Sequence, residues 1–286
     1  MSRARLLVDL LPPRRRFRYG DEHSCQRADL HLPRGPGPHP VVVMIHGGSW
    51  MAGYGKILMR PLAADIARRG YAAWNIEYRR IGRGQGGGWP VTFLDVAAAI
   101  DHLARVPAPL DLARVTLIGH SAGGQLALWA AGRSQLEDGA PGARPVVEPV
   151  AAVSAAGVND LAQAQREVPH GVVGVLMGGG PDEVPERYAV ADPMAHLPLA
   201  IPVLLVHGTD DATVSVRRSR NYAAAARAAG GEVDLIEIPG PAGAHRRHVD
   251  PSGPSWAAVT RWLEQRVPAA GRPRPAVPAP PARPPC

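Results

Sequence analysis

Long apolar runs are missing from this chain of 286 residues, and no stretch approaches the ~20 residues that a membrane-spanning helix needs. The one apolar patch near the start, residues 6–11, is broken by Asp9 and followed by no small-residue cleavage site. Neither a signal peptide nor a membrane association is therefore expected, and the protein is read as cytoplasmic. Cysteine is scarce, with only Cys25 and Cys286. Two thiols cannot build a disulfide framework, and no metal-ligand spacing accompanies them; neither a metal nor an organic cofactor is expected. Lysine is reduced to Lys56 beside 31 arginines, which is read as a compositional bias rather than as recognition chemistry. The formal charge is +7, but residues 1–20 hold six Arg against one Asp and residues 267–286 three Arg and no acid. The stretch between is left slightly acidic. A nucleic-acid binder needs a basic patch on its folded face, so no nucleic acid is expected as partner. Oligomeric state has no signature in the sequence.

What is present is an alternation of short apolar runs with helical patterns. Residues 1–24 read as a basic N-terminal arm, poorly ordered or loosely packed. Residues 268–286 contain eight prolines in nineteen positions and read as a disordered tail, since proline sustains neither helix nor strand. Between them, residues 25–267 read as one domain. Strands are predicted at 41–45, 71–76, 115–118, 150–153, 202–206 and 232–238. Helices are predicted at 58–69, 91–103, 123–131, 217–229 and 255–267, the last with Ser255 as N-cap. A further strand at 26–32 is expected to add an antiparallel edge. Residues 156–200 lack a clear period and form either loops with a short helix or a small cap. Repeated strand–helix alternation implies an α/β fold, a mostly parallel, doubly wound sheet with helices on both faces.

Three segments carry chemistry. The strand at 115–118 runs into Gly119-His120-Ser121-Ala122-Gly123-Gly124 and then directly into a helix. This is G-x-S-x-G in its strand–turn–helix setting, where a tight turn projects a nucleophilic serine at a helix N-terminus. The strand at 41–45 ends in His46-Gly47-Gly48-Ser49-Trp50. Small residues there let backbone N–H groups approach a developing oxyanion, so Gly47 and Gly48, with the amide of Ala122, are the expected donors. The strand at 202–206 ends in His207-Gly208-Thr209-Asp210-Asp211, which offers two carboxylates for orienting a base, and spacing does not choose between them. After the last strand, His245 and His248 share one loop, and either could exchange the serine proton. The order Ser…Asp…His, each after a strand, points to nucleophilic acyl transfer. Trp50, Tyr54 and Trp89 either line an apolar pocket or belong to the core.

GHSAGG, HGGSW and HGTDDATV together resemble the α/β-hydrolase superfamily over roughly residues 26–267. HGGSW is similar to the HGGxW signature of kynurenine formamidases (arylformamidases) and related esterases. NIEYRR (75–80) and GGWP (87–90) are similar to small bacterial members of the esterase/lipase and prolyl-oligopeptidase-like branch. By this resemblance the acid is Asp211, the fourth residue after His207, and the base is His245, which precedes Asp250-Pro251 at the family's spacing. Family members commonly carry an aromatic after that histidine, where this chain has Arg246-Arg247. His46 and Trp50 are implied to support the oxyanion loop, and Asp210 to play a lesser part. The expectation is a serine hydrolase with the triad Ser121, Asp211 and His245, acting on a small-molecule ester or amide. Arylformamidase activity and a non-catalytic binding protein of the same fold are the alternatives.

Overall fold

Residues 14–269, which the computed structural model describes, build a sheet of eight strands: β1 (Arg14–Arg18), β2 (Arg27–His31), β3 (His39–Ile45), β4 (Ala72–Ile76), β5 (Leu110–His120), β6 (Ala151–Ala155), β7 (Val203–Gly208) and β8 (Val233–Ile238). Their spatial order is β1-β2-β4-β3-β5-β6-β7-β8. Every pairing from β4 to β8 is parallel, and β2 alone runs against both its neighbours. Eight α-helices are described: α1 (Arg60–Arg68), α2 (Val91–Asp101), α3 (Ala122–Ala131), α4 (Leu161–Glu167), α5 (Val172–Met177), α6 (Pro185–Ala191), α7 (Arg217–Ala228) and α8 (Pro254–Arg266). This is the α/β-hydrolase fold.

The central strands read as unbroken apolar runs because both faces of each are covered. Val41, Val43 and Ile45 of β3 join Trp74, Phe93 and Trp129 in the core under α2 and α3. Val42 and Met44, pointing the other way, join Leu62, Ile66, Trp256 and Leu263 under α1 and α8. A third cluster seats Tyr222 and Ala226 of α7 on Val203 and Leu205 of β7. Each such large side chain, fully buried, contributes about 1.5–3 kcal/mol. The polar ends of the aromatics are matched as well: the Trp74 indole donates to Ala99 O at 2.8 Å and the Tyr71 hydroxyl to Val267 O at 2.8 Å.

Several expectations are corrected. Residues 14–24 do not form a loose arm. β1 pairs with β2 over five residues, and Phe17 packs 5.5 Å from Trp74. Its sequence RRRFR hides the strand because an edge position tolerates charge on its open face and asks for a single apolar anchor. β2 is consequently an inner strand, with β1 outside it. β5 begins at Leu110, ahead of its apolar run, because a register shift at Pro40/Val41 lets Leu110 and Asp111 pair with β3. The last helix is capped by Gly253 with Pro254 at its first turn, and Ser255 instead faces His248, 2.5 Å from Nδ1. Residues 156–200 hold three short helices, α4 to α6, whose Leu161, Val173, Leu176 and Tyr188 pack onto the α2/α3 core. The ordered chain continues past 267: Pro268 O accepts from Arg114 at 3.0 Å and Ala269 is buried. The rest of both terminal segments, 1–13 and 270–286, lies outside the described residues.

Candidate active site

Between the end of β5 and the start of α3, Ser121 carries the whole chain reversal, with φ 55° and ψ −121°. A residue with a Cβ occupies this region only under strain, of about 1–3 kcal/mol. Two glycines make the turn sterically feasible. A Cβ on Gly119 would overlap the carbonyl of Gly123, and one on Gly123 would overlap that of Ile45. The Ser121 N–H donates to Ala155 O at 2.8 Å, which ties the turn to β6. The hydroxyl thus stands at the N-terminus of a ten-residue helix, where the backbone dipole favours negative charge.

His245 lies in a short 3-10 turn after β8. Its Nε2 is 2.9 Å from Ser121 Oγ and its Nδ1 is 2.7 Å from Asp211 Oδ2. Asp211 follows β7, and its other oxygen accepts the N–H groups of Thr213 at 2.8 Å and Val214 at 3.0 Å. Burial pushes this carboxyl up, but the His245 bond and the two amides outweigh it and bring it down to about 2. Asp211 is therefore a fixed anion at neutral pH. Asp210, its competitor in sequence, is exposed and bonded to its neighbour Thr209 at 2.9 Å.

Three further histidines surround this line without a hydrogen bond to its side chains; His207 Nε2 stands 3.6 Å from Asp211 Oδ2. His120 bonds the His245 carbonyl through Nε2 at 3.0 Å. His207 bonds the Ser219 hydroxyl at 2.7 Å and Val214 O at 2.8 Å. His248 is taken up by Ser255. Burial foremost, then neighbouring histidines, push His120 down to about 3 and His248 down to about 4; burial also lowers His207. Kept neutral, they pack around His245 without adding charge beside it.

The segment expected to meet an oxyanion abuts Ser121. A Cβ on Gly47 would lie 2.6 Å from His120 O and 2.9 Å from Ser121 Cβ. The N–H groups of Gly48 and Ala122 donate to no carbonyl or side chain among the described residues. The loop is itself strained, with Ser49 and Trp50 at φ 53° and 54°, so it needs support. Trp50 is buried, and its indole donates to Gln125 Oε1 at 3.2 Å, while Gln125 donates to Ala191 O at 2.9 Å. His46 stacks on Tyr78 with ring centroids 4.2 Å apart, and the Tyr78 hydroxyl donates to His46 O at 2.8 Å. The His46 ring spans Gly47 O at 2.8 Å and Glu77 Oε1 at 2.7 Å. Trp89 packs on Phe93 at 5.2 Å, so of the three aromatics in question only Tyr54, beside Gly48, is exposed.

Glu77, Tyr78 and Gln125 are the supporting residues that pattern reading missed. Glu77 also accepts the Lys56 N–H at 3.1 Å, so one carboxylate pins both ends of the oxyanion segment. Burial pushes it up, but His46, Arg80 and the Lys56 amide hold it below the usual carboxylate range. The signal was an acid at the end of an apolar strand in IEYRR, where burial demands a partner. Glu77→Gln is expected to lower kcat about 10²-fold with KM changed only a few-fold, because loop misplacement near 1 Å acts on the reacting geometry. Steady-state kinetics on a p-nitrophenyl ester checks this, and an unchanged kcat would remove Glu77 from the support.

No group of three or more His, Cys, Asp or Glu side chains among the described residues is arranged to hold a metal ion. The BD-FAE family profile matches residues 28–225. A probable isoprenylcysteine alpha-carbonyl methylesterase of Oryza sativa subsp. japonica is 28% identical over 239 residues, 76% of this chain and 55% of the relative. Esterase LipC of Mycobacterium tuberculosis is 28% identical over 247 residues, 79% of this chain and 58% of the relative. This chain thus spans a little over half the length of these curated relatives. Among solved structures, a truncated carbohydrate esterase from gut microbiota superposes with TM-score 0.77 at 21% identity, covering 91% of this chain and 98% of that one.

Proposed function

Because the chain belongs to the BD-FAE family, an esterase family of the α/β-hydrolase fold, we propose that it is a serine hydrolase that cleaves small carboxylic esters or amides through an acyl-enzyme. One observation carries the reading: an unbroken line of hydrogen bonds from Asp211 to His245 at 2.7 Å and from His245 to Ser121 at 2.9 Å. His245 Nε2 takes the proton from Ser121 as Oγ attacks the carbonyl carbon. Asp211 holds the ring in the tautomer with hydrogen on Nδ1 and balances the imidazolium that forms. The amides of Gly48 and Ala122 receive the oxyanion, and Gly47 leaves room for it. His245 then returns the proton to the departing alcohol or amine, and water releases the acyl group by the same route.

Esters are favoured over amides, in keeping with the names of the relatives. The catalytic unit is taken as the described sheet and its helices, and the cytoplasmic setting expected from the sequence belongs to the same proposal. No helix among the described residues is long and apolar enough to cross a membrane.

The test is labelling by a fluorophosphonate, which traps an activated serine. One label per chain on Ser121, with loss of p-nitrophenyl acetate turnover in proportion, is the expected result. An unlabelled Ser121 in folded protein would favour a non-catalytic binding protein. Running N-formylkynurenine beside the short esters separates the formamidase alternative from ester cleavage.

A further inference from the structure

The face of the sheet away from Trp74 collects positive charge at its β1 end. Side chains two apart on a strand share a face; in-register pairing sets Arg14 opposite His31, Arg16 opposite Asp29 and Arg18 opposite Arg27, with Asn75 of β4 opposite Asp29, so Arg14, Arg16, Arg27, Asp29 and Asn75 share one face. The start of α1 and the turn before it bring Arg60 and Lys56 over the same face. With Arg80 these residues line a cleft of about 490 Å³, within the range of small-molecule sites.

Six cationic side chains and two carboxylates line it. The two acids are already engaged. Asp29 meets Lys56 Nζ at 2.5 Å and Arg14 at 3.6 Å, and Glu77 is held by His46, the Lys56 amide and Arg80, whose guanidinium stands 3.5 Å from Oε1. Arg16, Arg27 and Arg60 have no carboxylate within reach among the described residues. The Nε atoms of Arg60 and Arg80 are buried without a hydrogen-bond partner. Unmatched guanidinium groups gathered in a partly sheltered cleft repel one another, and their buried N–H groups lose hydration without return. A ligand presenting several anionic oxygens relieves both costs, and the planar, forked donors of arginine suit phosphoryl oxygens. None of the cleft's lining residues is aromatic, so it offers no stacking platform for a nucleobase.

We propose that this cleft binds a small, non-aromatic phosphorylated ligand carrying more than one negative charge. No triad residue lines it, so binding there is measured without turnover and stands apart from the catalytic reading.

The test is isothermal titration of the full chain with inorganic pyrophosphate at fixed ionic strength. Saturable one-to-one binding is expected, weakened at least tenfold in the double variant Arg16→Gln/Arg60→Gln and unchanged in Arg217→Gln, an exposed arginine at the start of α7. Citrate at the same ionic strength is expected to bind at least tenfold more weakly than pyrophosphate. The ligand-free melting temperature of the double variant is expected to match or exceed that of the parent, because like charges have been removed. If the double variant does not fold, Arg16→Gln alone, on the exposed edge strand, carries the same comparison. Absence of saturable binding, equal weakening by Arg217→Gln, or citrate binding as tightly as pyrophosphate would each overturn the proposal.

Discussion

Replacing Ser121 by Ala is expected to lower kcat for a short p-nitrophenyl ester by about 10⁶-fold, the scale on which removal of a triad nucleophile acts. The cause is local. Ser121 Oγ is the atom within 2.9 Å of His245 Nε2, and without it no covalent intermediate can form. What survives is the residual catalysis of the oxyanion donors and of substrate binding. The fold should be untouched. Alanine keeps the Cβ that the turn already accommodates at φ 55°, and one lost hydrogen bond at a partly open site costs about 1 kcal/mol. Stopped-flow or prolonged steady-state assays, paired with a thermal melt, check both halves. Turnover near the parent value in a well-folded variant would end the acyl-enzyme reading.

The second large effect is expected from Asp211→Asn, a fall in kcat of about 10⁴-fold at neutral pH. One oxygen of Asp211 accepts two backbone N–H groups and the other faces His245 Nδ1. In the variant, the amide oxygen must keep the backbone contacts, because an NH₂ group cannot accept them. That leaves the NH₂ group pointing at Nδ1, which must then accept. The proton moves to Nε2, and the nitrogen facing Ser121 can no longer take a proton from it. The volume hardly changes, so a loss of this size would report the tautomer and not packing. A near-parental rate, measured in a variant of unchanged melting temperature, would show that Asp211 does not orient the base.

Much of the frame was legible because apolar pattern and turn chemistry act locally. The inner strands β3 to β7 announce themselves by their apolar runs, and GHSAGG follows its strand without a gap. The missed parts have non-local causes. β1 carries one apolar residue, Phe17, whose burial depends on Trp74 more than fifty positions away. Glu77 and Gln125 read as ordinary polar residues of a strand end and a helix. Their parts in holding His46 and Trp50 exist only once β4 and α3 lie beside the β3 loop.

By itself, the sequence determined the strand–helix alternation around β3 to β5 and β6 to β8 and the glycine-flanked serine turn, since each depends on steric and hydrophobic rules acting over a few residues. The residue pattern left His245 and His248 open within one loop and the family resemblance pointed to His245; the fold supplies the neighbours that set His245 between Asp211 and Ser121 and give His248 to Ser255. The tertiary structure alone decided that Arg14 and Arg16, read along the chain as part of a charged end, share a sheet face with Asp29 and Arg27 in a cationic cleft. Charge sums along a chain, but a site forms where cross-strand pairing brings distant side chains onto one face.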